Sequence, residues 1–277
     1  MGCPSSVGES EIHSFKDLFA NSLGSFFNLT KYPELTLDAW AKKFGDIYSM
    51  WLGNQLFVIV SDPKIAKDLM VTNGAVFSSR KEMFIKSQTI FAGRGITATP
   101  YNDRWKKHRR LAVTWLSQKA VHGYTHVLDF EATEMVRCMY DASKIGPVNP
   151  QVHAGRCSLN NMLTVTFGTR SESVNDPIVK EALRLSREFM NCTGPMSNLI
   201  DFVPLLQCFD IKLKRRAERL HKDLVKVYGG MIDEIRVKLS ASEVVDDCLA
   251  KDLVNVQVQE ELDELDMAIL ASAFVSQ

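Results

Sequence analysis

The chain of 277 residues lacks most of the features that assign a function at sight. It has no run of about eighteen apolar residues, so nothing in it reads as a membrane span. No signal-peptide pattern opens it. It lacks any excess of one charge: Lys plus Arg and Asp plus Glu are 33 each, which gives no overall pull toward nucleic acid or acidic substrates. None of the six cysteines (Cys3, Cys138, Cys157, Cys192, Cys208, Cys248) forms a C-x-x-C pair, and their spacings are wide and irregular. That usage argues against a zinc site and a secreted disulfide framework, and for a reducing cytosolic environment. His153 and Cys157 are four residues apart, but two ligands are too few for a closed metal site. The motifs G-x-x-x-x-G-K-S/T, H-E-x-x-H and G-x-S-x-G are missing, which removes the common phosphate-loop, zinc-protease and hydrolase readings. There is no internal repeat, low-complexity segment or clear linker.

What is there reads as a globular protein, with 45% hydrophobic and 24% charged residues. The start, Met1-Gly2-Cys3-Pro4-Ser5-Ser6, fits a myristoylation pattern with Cys3 placed for palmitoylation, and fits a fragment or gene-model start as well. A short helix is expected over Leu35 to Phe44, then strands Ile47 to Leu52 and Leu56 to Val60 joined as a hairpin. Asp62-Pro63 opens a helix to about Val71, with aspartate at the N-cap and proline at the first helical position; Asn73-Gly74 closes it. Phe77 to Pro100 reads as a long loop, of the kind that is functional or mobile. From Asn102 onward helices are expected over 102–117, 120–143, 151–169, 177–192, 211–240 and 260–277, with a break from Gly194 to Gln207. The expected class is mainly α, one domain with a small N-terminal β element. The final segment turns apolar nearly all round after Leu262-Asp263-Glu264-Leu265-Asp266-Met267, as a buried core helix does, and runs to Gln277 without a stop signal. The expectation is a fragment of a larger fold, prone to aggregate in isolation.

Trp105 and Arg109 stand four apart, which on a helix places an indole N–H and a guanidinium on one face. Both groups only donate hydrogen bonds, so together they suggest a held anion such as a cofactor carboxylate. They lie in a basic run, Arg104, Lys106, Lys107, His108, Arg109 and Arg110, followed by Leu111, Ala112, Trp115 and Leu116. Three readings stay open for it: a solvated face, an anion or cofactor clamp, and a macromolecular partner. Gly93-Arg94-Gly95-Ile96-Thr97-Ala98 fits the letters of a dinucleotide fingerprint, but Thr99-Pro100 follows, so no helix begins where a pyrophosphate would sit. The segment Ile211 to Leu239, with Leu213, Leu220, Leu224, Val227, Met231 and Ile235 at helical spacing, is a long amphipathic surface helix.

In order, these features are Lys42-Lys43-Phe44-Gly45-Asp46, the hairpin Trp51 to Val60, Ser61-Asp62-Pro63 with its helix, Phe77-Ser78-Ser79-Arg80, the long loop, and Trp105-Lys106-Lys107-His108-Arg109. That order resembles the N-terminal half of a cytochrome P-450, a haem-thiolate monooxygenase, over residues 31 to 277. The style is that of fungal microsomal members near the phenylacetate hydroxylases. W-x-x-x-R alone is a weak signal; its position after this hairpin, helix and loop makes it strong. The resemblance implies that Trp105 and Arg109 hydrogen-bond a haem propionate, with Arg94 as a further propionate contact. It implies a substrate pocket touched by Phe91 and Ile96 in the loop and by Ala273 in the last helix, which would cross the haem face. It also implies substrate access through Gly194 to Gln207.

The departures from the family pattern are as informative. The haem-ligand motif F-x-x-G-x-R-x-C-x-G and the proton-relay motif A-G-x-D/E-T are absent, and none of the six cysteines lies in such a ligand sequence. Glu134-Met135-Val136-Arg137 and Glu181-Ala182-Leu183-Arg184 match the family's E-x-x-R only in letters. The usual anchor is missing from 1–30. The chain is therefore expected to carry half a cofactor site without the axial thiolate, and to be inactive alone. For a full-length relative the resemblance implies insertion of one atom of O2 into a small organic substrate, an NADPH-dependent reductase as electron donor, no nucleic acid, and the cytosolic face of the endoplasmic reticulum membrane. A chain without the anchor would be cytosolic. The rival expectation is a non-enzymatic helical protein whose basic helix binds an acidic partner or membrane surface.

Overall fold

A computed structural model describes residues 24–29, 32–53, 55–194, 199–202 and 211–275. The chain divides into two compact units, Met1–Ser78 with Leu199–Phe209, and Ser79–Asn198 with Asp210–Gln277. Gly2, Cys3, Cys208 and most of the Gly194 to Gln207 break lie outside the described residues.

The first unit is built on the hairpin. After a 3-10 turn at Ser25–Asn28, α1 (Pro33–Phe44) leads into β1 (Ile47–Leu52), which pairs antiparallel with β2 (Gln55–Val60), Ile47 opposite Val60 and Leu52 opposite Gln55. Strand alternation puts Tyr48, Met50 and Leu52 of β1 inward. Met50 and Leu52 pack with Leu29, Leu37, Trp40, Phe57, Ile59 and Phe202, the last from the short α9 (Leu199–Phe202). The Tyr48 hydroxyl donates to Leu37 O at 2.9 Å, tying α1 to the sheet. The Asp62 side chain accepts from Ile65 N at 2.8 Å and caps α2 (Pro63–Lys67), which widens into a π-helical turn, Asp68–Thr72. A four-residue helix, α3 (Gly74–Phe77), stands where a simple stop was expected.

Gly53 turns the hairpin at φ 61°, and a Cβ there would run into Phe202 O. Gly53→Ala therefore adds left-handed strain to a backbone clash and is expected to cost at least about 2 kcal/mol. A thermal melt unchanged by this substitution would show that the turn relaxes freely.

The second unit is helical: α4 (Asp103–Leu116), α5 (Gln118–Gly123), α6 (Thr125–Ser143), α7 (Pro150–Phe167), α8 (Pro177–Thr193), α10 (Ile211–Ser240), α11 (Leu249–Val256) and α12 (Glu264–Val275). Helix starts follow their caps. Asn102 caps α4 through Trp105 N, Asn149 caps α7 and Asp176 caps α8, the last two with proline at the first turn. The core stripe of α10 is Ala217, Leu220, Leu224, Tyr228, Ile232 and Ile235, while the expected Leu213, Val227 and Met231 flank it half-buried. Tyr228 stacks on Phe167 of α7 with centroids 6.2 Å apart. Helix α12 packs on α10 and is buried on nearly every side, including Met267, Ala268, Ile269, Leu270, Ala271 and Phe274. The chain is mainly α with one two-stranded sheet among the described residues, as its composition and periodicity imply.

Three expectations change. The stretch 120–143 is two helices that meet at Tyr124. The long loop contains a π-helical segment, Phe84–Ile90, and α11 was not anticipated.

Candidate functional site

Helix α4 presents Trp105, His108 and Ala112 to the interior of the second unit, and leaves Arg104, Lys106, Arg109 and Arg110 exposed. The Asn102 cap makes Trp105 the third residue of the first turn, which fixes the indole against the loop before it. Trp105 Nε1 donates to Ile96 O at 2.8 Å, so the indole that sequence chemistry offers to an anion is engaged by the loop backbone. The Arg109 guanidinium lies over the Trp105 ring at 5.4 Å from its centroid.

The basic run separates once its partners are followed. Arg104 reaches Asp266 at 3.5 Å, and Lys106 pairs with Asp103 at 3.1 Å. Lys107 Nζ donates to Glu260 O, and Arg110 pairs with Glu260 at 2.6 Å. His108 lies fully buried with Nε2 3.3 Å from Asp266 Oδ1, a close approach without hydrogen-bond alignment. Arg109 has no acidic partner among the described residues. Five of the six bases thus meet oxygens of the chain itself, and Arg109 meets none among the described residues.

Arg94 sits in a loop made of left-handed turns, with Ala92, Gly93 and Gly95 all at positive φ. Its Nε donates to Asp266 Oδ1 at 3.0 Å, and its Nη2 to Asp263. Two carboxylates thus pair with this guanidinium. Asp266 itself is 4% exposed. Burial by itself would raise its pKa; the contact and charge of His108, the charge of Arg104 and the Asp263 backbone N–H outweigh that and hold the carboxyl at about 2. A depressed carboxylate contributes stability that is present above the unfolded value of about 3.9 and is lost as pH falls through the folded one. Asp266→Asn is accordingly expected to flatten the acid limb of the stability profile between about pH 4 and pH 2. An unchanged limb would mean that Arg94, Arg104, His108 and Asp263 do not hold the carboxylate as described.

The proposed pocket residues fare differently. Phe91 is 1% exposed and packs on Phe189 of α8, centroids 5.5 Å apart, so it has almost no surface for a substrate. Ile96 and Ala273 are half-buried and retain free surface. A Cβ at Gly95 would lie 3.6 Å from Ile269 of α12 and 3.9 Å from Phe91, so the loop runs close beside the last helix. Lys86, half-buried in the π-helical segment, lies 5.5 Å from the Phe189 ring centroid. Burial pushes its ammonium pKa down. It has no acidic partner among the described residues.

The two E-x-x-R matches form local pairs, Glu134 with Arg137 at 2.7 Å and Glu181 with Arg184 at 2.6 Å, on exposed helix surfaces. Cys138, Cys157, Cys192 and Cys248 are free thiols, and burial raises the Cys157, Cys192 and Cys248 pKa values. No group of three or more metal-ligating side chains occurs among the described residues, and no described helix is long and apolar enough to cross a membrane. Sequence reasoning missed His108 and Asp266. The spacing of Trp105, His108 and Ala112 was the available sign that His108 faces inward.

Comparison with known proteins bears on what this arrangement serves. The chain is 27% identical over 241 residues to the cytochrome P-450 monooxygenase fogE of Aspergillus ruber, covering 84% of this chain and 44% of that protein. It is 26% identical over 224 residues to phenylacetate 2-hydroxylase of Emericella nidulans, covering 78% of this chain and 43% of the relative. It is 31% identical over 241 residues to trans-cinnamate 4-monooxygenase of Glycine max, covering 81% and 46%. The chain thus spans less than half the length of these relatives. The family profile described as cytochrome P-450 matches residues 20–275. With that match covering nearly the whole chain, and W-x-x-x-R on a helix beside the loop and the buried last helix, the chain belongs to the cytochrome P-450 family.

Proposed function

We propose that this chain is the N-terminal half of a haem-dependent monooxygenase and supplies the propionate side of its cofactor site. The observation that carries this is Arg109: alone in its basic run it has no oxygen partner among the described residues, and its guanidinium is seated on the Trp105 ring. Such a planar donor fork suits a carboxylate. Arg109 would hold a haem propionate directly, while Trp105 would seat Arg109 and share its N–H between Ile96 O and the propionate. The haem, when bound, supplies the iron chemistry that delivers one atom of O2 to an organic substrate. The chain's own contribution is binding, orientation and the exclusion of water by α12 and the loop. An NADPH-dependent reductase as electron donor and the cytosolic face of the endoplasmic reticulum complete this reading for a full-length protein.

None of the six cysteines stands in the family's ligand motif, so the iron ligand is not expected from these 277 residues. Reduced and exposed to carbon monoxide, the haem-loaded chain should give no thiolate-type Soret band; such a band would overturn this assignment.

The substrate class follows from the relatives' names, phenylacetate and trans-cinnamate, both aromatic carboxylates. Lys86, a half-buried cation without an acidic partner among the described residues, is the group that would meet that carboxylate. In saturation-transfer NMR the chain should respond to trans-cinnamate more than to cinnamyl alcohol, and Lys86→Met should remove the difference. Equal responses from the unsubstituted chain would count against an acid substrate.

A further inference from the structure

We infer that Asp266 is the positioning residue of the Trp105 end of the clamp. Its two oxygens do different work. Oδ2 accepts from Asp263 N at 3.3 Å while Asp263 Oδ1 accepts from Asp266 N at 2.6 Å, a reciprocal cap at the start of α12. Oδ1 faces three basic groups: Arg94 Nε at 3.0 Å, His108 Nε2 at 3.3 Å and Arg104 Nη1 at 3.5 Å. Arg94 belongs to the loop, and Arg104 and His108 belong to α4. One buried oxygen of α12 therefore gathers both elements that build the clamp.

The consequence reaches Trp105 through two short links. Arg94 O accepts from Thr99 Oγ1 at 2.7 Å, which closes the loop around Ile96. Ile96 O then accepts the indole N–H at 2.8 Å. With Arg94 held by Asp266, the Ile96 carbonyl has a fixed place to receive the indole, and the indole plane is where Arg109 rests. The two carboxylates, Asp263 and Asp266, face the guanidiniums of Arg94 and Arg104. A buried charge that loses its partner is costly, so loss of the Asp266 charge should release the loop from α12.

Asp266→Asn is a selective test. Asparagine keeps one acceptor oxygen, which can serve the cap or the cations but not both. The functional meaning rests on the propionate reading of Trp105 and Arg109; the measurement does not, because it uses the haem-free chain. The readout is solvent exchange of the indole N–H protons by NMR. Trp115, further along α4, has its Nε1 donating to Asp252 at 2.9 Å and is an internal reference. In Asp266→Asn the Trp105 indole N–H should exchange at least about tenfold faster, an energy change of about 1.4 kcal/mol, while Trp115 is unchanged. Arg94→Gln, which cuts only the loop's tether, should reproduce the Trp105 effect if Asp266→Asn fails to fold. An unchanged Trp105 signal in a folded variant would overturn the inference, as would equal acceleration at Trp105 and Trp115, which is general loosening.

Discussion

Replacing Glu131 with alanine is expected to remove about 3–5 kcal/mol of folding stability. Glu131 lies on α6, 1% exposed, at the centre of a polar knot between α6, α7 and the segment that follows α7. Its Oε1 accepts from Arg170 Nε at 2.7 Å and its Oε2 from Asn160 Nδ2 at 2.9 Å. Asn160 also pairs with both backbone groups of Ser171, at 2.8 and 2.9 Å. Arg156, fully buried, donates to Ser171 O at 3.1 Å and Glu172 O at 2.9 Å. Deleting the carboxylate strips the knot of its anion while Arg156 and Arg170 remain. Domain stabilities are about 5–15 kcal/mol, so this one loss would consume a large share of the total. Glu131→Gln, which keeps the shape and one acceptor, should cost clearly less. Urea unfolding that places Glu131→Ala within about 1 kcal/mol of the parent would show that water or a shifted Asn160 replaces the carboxylate.

Arg109→Ala should weaken haem binding by about 10–100-fold. A hydrogen bond to a charged group contributes about 1.5–3 kcal/mol, and each 1.4 kcal/mol is tenfold in affinity. No acidic partner among the described residues has to be given up when Arg109 turns to a propionate, so little offsets the gain. Arg109→Lys keeps the charge without the planar fork and should fall between. Arg110→Ala is the control. Arg110 is already paired with Glu260, and haem affinity should stay within about twofold of the parent. Trp105→Phe keeps a ring beneath Arg109 and loses an N–H that Ile96 O already shares, so its effect should be smaller than that of Arg109→Ala. Soret titrations that rank Arg110→Ala with Arg109→Ala would favour a diffuse basic surface over a clamp.

Much of this architecture was legible because local chemistry determined it. The hairpin followed from alternation around Gly53, α10 from a 3.6-residue apolar repeat, and the start of α2 from Asp62 followed by proline. The π-helical segment Phe84–Ile90 was not legible. Its wider hydrogen bonds, such as Gln88 N to Met83 O at 3.1 Å, leave no helical period to read. Helix α11 is two turns long with no side-chain cap at Cys248, and so gave no start signal. At the site, the spacing of Trp105 and Arg109 could be read directly. The role of Arg94 could not, because its partner Asp266 is 172 residues away and reads locally as an acid suited to a helix dipole. Phe91 shows the same limit: an apolar loop residue is equally a pocket wall or a core residue, and its packing on Phe189 could not be read from the sequence.

The claim that Arg109 holds a haem propionate is tested most directly by comparing two cofactors on one chain. Iron protoporphyrin and its dimethyl ester share the ring and the metal and differ in the free carboxylates. The parent chain should bind the free acid at least about tenfold more tightly than the diester, and Arg109→Ala should erase that preference, an interaction of about 1.4 kcal/mol or more. Equal affinity of the parent chain for the two cofactors, or a preference that survives Arg109→Ala, would contradict it.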